Sequence, residues 1–114
     1  MREFLLIIRG SGMQTMSPEE IQSMLGKFRT WVDELGPQYL TGQKLEPAGV
    51  TVREDQSVVT DGPFLEPKEI VAGFMLIRAA DLAEATEIAR RAPQIPWYSI
   101  EVRPLVTPLM HPID

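Results

Sequence analysis

Ile70-Val71-Ala72-Gly73-Phe74-Met75-Leu76-Ile77 is a strongly apolar stretch, and Phe4-Leu5-Leu6-Ile7-Ile8 is a second, shorter one. In a strand, successive side chains point to opposite faces, so a run that is apolar at consecutive positions is apolar on both faces. The short length of Phe4–Ile8 and its exit through Gly10-Ser11-Gly12 favour a strand buried on both sides over a helix. Two such strands set the centre of a sheet, and the rest of the chain is read around them.

Between them stands a strong helix start, Ser17-Pro18-Glu19-Glu20. Ser17 can cap, Pro18 suits the first helical position, and Glu20 completes a capping box. Ile21, Met24, Leu25, Phe28, Trp31, Val32 and Leu35 then fall on one helical stripe, and Gly36-Pro37 stops it. Tyr39–Leu45 and Gly49–Arg53 read as short strands broken at Pro47. Asp55-Gln56-Ser57 reads as a tight turn from which Val58-Val59-Thr60 returns as a hairpin. A second helix begins at Asp81, with Glu84 three residues on. It carries Leu82, Ala85, Ile88, Ala89 and Ala92 on its apolar side and ends at Pro93. Arg90 and Arg91 sit in its last turn, where the helix dipole favours positive charge. Tyr98, Ile100 and Val102 alternate with Ser99, Glu101 and Arg103 as a half-buried strand. Pro104, Pro108 and Pro112 keep the tail out of regular helix.

This order is an α+β pattern, the ferredoxin-like βαββαβ arrangement with an extra central hairpin. Residues 1–105 form one domain and 106–114 a Pro-rich tail. Two helices cover only one face of such a sheet, so the second face would expose large side chains as one patch. Monomers rarely carry such a patch, and the expectation is a homodimer paired sheet to sheet. The competing expectation is that the hairpin or the tail covers that face.

The bulk chemistry excludes several functions. With 16 acidic residues against 11 Lys and Arg, the formal charge is -5, which argues against nucleic acid. Without cysteine there are no disulfides, thiol nucleophiles or Cys-ligated metals, and with a single histidine a zinc site lacks ligands. No nucleotide-binding or hydrolase motif occurs, no acidic cluster is spaced for Mg or Ca, and no cofactor is expected. The longest apolar runs fall short of a membrane span or a signal-peptide core, so the expectation is a cytoplasmic protein with no membrane partner.

One stretch is distinctive: Val59-Thr60-Asp61-Gly62-Pro63-Phe64-Leu65-Glu66-Pro67-Lys68-Glu69. Pro63 fixes its own φ and biases Gly62 to extended geometry, and Phe64 can anchor the loop, so Asp61 would be held on a stiff support. Together with Gly73-Phe74, Leu76-Ile77, Thr51-Val52-Arg53, Asp81-Leu82 and Glu101-Val102-Arg103-Pro104, this stretch resembles the DGPF family, the YCII-related proteins. The resemblance runs nearly end to end. It implies a ferredoxin-like fold paired into a dimeric α/β barrel and says little about a reaction. Some members are encoded beside alternative sigma factors, which points to regulation. Wider relatives use a His–Asp pair in acid–base or lyase-type chemistry. Here the sole histidine, His111, stands in the tail, so a dyad with Asp61 is not expected.

The candidate site residues are therefore Asp61 as an acid–base group and Arg53, Glu66 and Lys68 as ligand contacts. Each has a plainer reading. Asp61 can accept hydrogen bonds within its own turn, and Lys68 can form a solvated pair with Glu66 or Glu69. Glu101 can pair structurally with Arg53 or Arg103. Phe28 and Trp31 read as core, and Met13 and Met16 as gap fillers or a pocket lid. The leading expectation is a small-molecule-binding, regulatory dimer whose pocket lies between the sheet and the first helix, closed by the Asp61–Phe64 loop. The alternatives are a cofactor-free lyase, isomerase or oxygenase using Asp61 with Lys68 or Arg53, and a protein partner of a transcription factor.

Overall fold

The computed structural model describes residues 1–60 and 66–106. Asp61, Gly62, Pro63, Phe64 and Leu65, and the tail from 107 with His111, lie outside the described residues. In chain order the elements are β1 (Arg2–Arg9), α1 (Pro18–Leu35), β2 (Tyr39–Lys44), β3 (Val50–Val52), β4 (Val58–Thr60), β5 (Val71–Ala79), α2 (Leu82–Arg90) and β6 (Ser99–Pro104).

The main sheet has the order β2-β5-β1-β6, with every neighbour antiparallel. The two runs that are apolar on both faces thus become the central pair. Their register sets Phe4 opposite Ile77 and Leu6 opposite Met75, all four fully buried against the helices. Burial of each such side chain contributes roughly 1.5–3 kcal/mol. One residue out of phase, Leu5 lies opposite Leu76 and Ile7 opposite Phe74 on the other face, where they are only half-buried. At the edge, β6 adds Ile100 and Val102 to the helix face and Glu101 and Arg103 to the open face.

Both helix starts form as their sequences demand. The Ser17 hydroxyl accepts the Glu20 N–H at 3.1 Å while the Glu20 carboxylate accepts the Ser17 N–H at 2.9 Å. At α2 the Asp81 carboxylate accepts the Glu84 N–H at 2.9 Å. Buried Trp31 donates its indole N–H to the Ile88 carbonyl at 3.3 Å and so ties α1 to α2.

Two expectations change. The hairpin does not join the main sheet: among the described residues β3 and β4 pair only with each other, and every residue from Glu46 to Thr60 is exposed. Three-residue strands have too little side chain to bury against a third strand, so the ribbon stands off. Arg53 goes with it and does not reach Glu101, which instead pairs with Arg9 at 3.3 Å and with Arg103. Pro104, grouped with the prolines of the tail, is the last residue of β6, on a sheet edge where its missing N–H is tolerated. The hairpin turn is as expected, with the Asp55 carboxylate accepting from both the Ser57 N–H and its hydroxyl.

Candidate functional site

A cavity of about 370 Å³ opens between α1 and the helix face of the sheet. Its walls are mostly apolar: Ile8 from β1, Met24, Leu25 and Phe28 from α1, Met13 from the loop after β1, and Ala72, Gly73 and Met75 from β5. Tyr39, Gln94 and Tyr98 bring polar groups to it, with exposed Lys44 on β2. The cavity exists because α1 covers the sheet unevenly. Trp31 is buried, Phe28 is half-buried, and Leu25 one turn away is 52% exposed.

The exit from β1 builds one wall. Gly10 adopts a φ of 132°, which L side chains rarely adopt, and donates its N–H to the Ile70 carbonyl at 2.9 Å. Gly12 passes so close to Trp97 that a Cβ would lie 2.7 Å from the Trp97 carbonyl oxygen. This close passage lets the Met13 N–H reach the buried Tyr98 hydroxyl at 2.9 Å. The phenol accepts that bond, so its own proton remains to be donated.

A second wall is aromatic. Tyr39 packs edge-on against Phe28 and Trp31, each with ring centroids 6.3 Å away. Its hydroxyl lies over Gly42, where a Cβ would come within 2.4 Å of it. Burial pushes the Tyr39 phenol above its ordinary pKa, so it stays neutral at physiological pH.

Gln94 is the unusual member. Its carboxamide oxygen is buried and has no hydrogen-bond partner among the described residues. A buried unpaired acceptor costs about 1–3 kcal/mol, and groups of this kind occur where a ligand or water completes the site.

The residues singled out from sequence stand elsewhere. Arg53, Glu66 and Lys68 are exposed, and none of the three lines this cavity. Asp61 lies outside the described residues. Met13, read as a gap filler or lid, does line the cavity, and Phe28 serves both core and cavity wall. Tyr98, Gln94 and Tyr39 were missed as polar site groups. The available signals were the double glycine after β1 and the Gln94-Ile95-Pro96-Trp97-Tyr98 turn, a Pro-fixed aromatic segment at the mouth of the sheet.

On the open face the Glu101 carboxylate sits between Arg9 and Arg103. The Arg103 hydrogen bond is the largest influence and holds the Glu101 carboxyl below its ordinary pKa, with Arg9 assisting. An open groove of about 1020 Å³ also runs between α1 and α2, walled by Lys27, Glu34, Glu84, Glu87, Arg90 and Arg91. Its charges alternate in sign, as on a solvated helix surface. Among the described residues no group of three His, Asp or Glu could hold a metal ion, and no helix is long and apolar enough to cross a membrane.

The family model of the YCII-related domain matches residues 16–107, which span α1 through β6. The chain belongs to the YCII-related family. Its similarity to an uncharacterized protein, R00369, of Rhizobium meliloti (strain 1021) is 39% identity over 80 residues. That match takes in 60% of this chain and 64% of the relative, less than two thirds of its length. Among solved structures, the YCII-related chain is similar to the 5-chloro-2-hydroxyhydroquinone dehydrochlorinase TftG of Burkholderia phenoliruptrix AC1100 in complex with 2,5-dihydroxybenzoquinone. The TM-score is 0.51 with 13% identity, covering 91% of this chain and 93% of that one. At that identity the likeness concerns the fold, in agreement with the strand order.

Proposed function

We propose that this YCII-related chain is a homodimeric, small-molecule-binding domain with a regulatory role, and that its ligand occupies the cavity between α1 and the sheet. The observation that carries the reading is the mostly apolar 370 Å³ cavity itself, with Gln94, Tyr98 and Lys44 in its lining. That volume equals about a dozen waters at roughly 30 Å³ each, which suits a single ring with a few substituents. The polar groups define the rest. Gln94 brings a carboxamide, Tyr98 offers a proton to an oxygen, and Lys44 at the rim suits an acidic substituent. A hydroxylated aromatic compound meets all three. TftG, which shares the fold, is described with a hydroxylated quinone. The homodimer pairs the open faces, bringing Leu5, Ile7, Phe74 and Leu76 of each copy together.

Differential scanning fluorimetry with monocyclic phenols, hydroxybenzoates and quinones tests the reading. Saturable stabilisation by some members is expected, with Gln94→Leu weakening the response at least tenfold in apparent Kd. A wild-type protein indifferent to the whole panel contradicts it.

A second reading is a cofactor-free enzyme of the lyase, isomerase or oxygenase kind with Asp61 as its acid–base group. It is favoured by the fold shared with TftG, which is a dehydrochlorinase. Turnover of a hydroxylated ring that survives Asp61→Asn undiminished removes Asp61 from that role.

A further inference from the structure

We infer that the β3–β4 ribbon is a dimerisation arm that lies on the second copy of this chain. The inference rests on the homodimer proposed above and adds a part of the interface that the sheet does not supply.

The ribbon cannot account for itself. Its register pairs Val50 with Thr60, Thr51 with Val59 and Val52 with Val58. Directly opposed residues share a face, so Val50, Val52 and Val58 form one apolar strip. They are 61%, 66% and 60% exposed. With Val59, the ribbon holds four of the eleven large apolar side chains that the described surface exposes. A two-stranded hairpin alone is marginally stable in water, and a valine-rich edge left open invites pairing with another chain. The molecule is spread accordingly. Its radius of gyration is 15.7 Å, where a compact chain of this length has about 13 Å.

The occupant follows from area. The open face has four strands, paired over at most eight residues. At roughly 4.8 Å per strand and 3.4 Å per residue it measures about 500 Å². A stable interface takes about 800 Å² from each partner. The shortfall is what a valine-faced ribbon supplies. Two-fold symmetry doubles the effect, because each copy extends one arm and receives one. The arm springs from the end of the sheet where Lys44 of β2 meets Gly73 of β5, so it leaves the sheet already projecting beyond it.

The test replaces Val50, Val52 and Val58 together by threonine, which keeps the shape and strand preference and removes the apolar strip. These side chains are exposed in the single chain, so its fold is left intact; circular dichroism and thermal melting verify this. Sedimentation equilibrium of wild type and variant reads the dimer constant. Hydrogen exchange of residues 50–60 at two protein concentrations reads the arm itself. The expected result is a dimer dissociation constant raised about 100-fold or more, from six valines per dimer, with arm amides that lose protection on dilution. A variant that dimerises like wild type overturns the arm and leaves the homodimer standing. Protection of the arm that is independent of concentration also overturns it, because the chain then covers its own ribbon. A wild type that is monomeric at micromolar concentration overturns the homodimer and the arm with it.

Discussion

Gly12→Ala and Gly26→Ala add the same methyl group and should move stability in opposite directions. At Gly12 the new Cβ would stand 2.7 Å from the Trp97 carbonyl oxygen and 2.9 Å from Trp97 Cβ. Neither atom can rotate away, so the turn after β1 or the segment entering β6 must shift. Overpacking of this kind costs about 1–3 kcal/mol. For a domain of this size that lowers Tm by about 4–12 °C. The shift also pulls the Met13 N–H from the Tyr98 hydroxyl, so ligand affinity should fall with stability. Gly26 lies on the exposed side of α1, and its Cβ would meet nothing within 4 Å. There alanine removes unfolded-state freedom and stabilises by about 0.5–1 kcal/mol. Thermal and urea unfolding followed by Trp fluorescence measure both. A Gly12→Ala protein as stable as wild type would refute the packing assigned to the Gly10–Met13 turn.

Leu6→Ala empties a fully buried site between Met75 and Val102, and urea unfolding should show a loss of about 2–5 kcal/mol. Tyr98→Phe leaves the Met13 N–H without its acceptor, costing about 1 kcal/mol in the same assay, and removes the proton offered to the ligand. The Glu101 carboxyl binds its proton less tightly in the folded chain, because Arg103 and then Arg9 favour the charged form. Its contribution is therefore complete above the ordinary carboxylate value of 4.5 and is lost as pH falls through the lower, folded value. Glu101→Gln should be less stable than wild type at neutral pH, with the difference closing on acidification. A difference that widens in acid would reverse the assignment.

The centre of this fold was legible because consecutive apolar residues in Phe4–Ile8 and Ile70–Ile77 can only be satisfied between other strands and under helices. The limits of α1 were equally legible, since Ser17, Pro18, Glu20 and Gly36 act within a turn of themselves. The hairpin was legible as a hairpin but not as a separate ribbon. Val-Thr-Val has the composition of a sheet strand, and only its length, too short to bury a face, sets it apart. The cavity was anticipated between the sheet and the first helix, yet its polar groups were not. Tyr98 reaches Met13 across 85 positions of sequence. Gln94 is unusual because none of the described residues meets its oxygen, and no local pattern encodes that. Arg53 reads like a sheet residue from its neighbours, and Arg9 rather than Arg53 meets Glu101 because the register of β1 with β6 decides it.

The α1–sheet cavity is proposed to hold a ring-bearing ligand. A crystal structure of the protein soaked with the strongest stabiliser from the phenol and quinone panel tests it most directly. Ligand density is expected between Phe28 and Met75, with an oxygen about 2.5–3.0 Å from the Tyr98 hydroxyl. A ligand bound elsewhere, or a cavity closed by its own side chains, would contradict it.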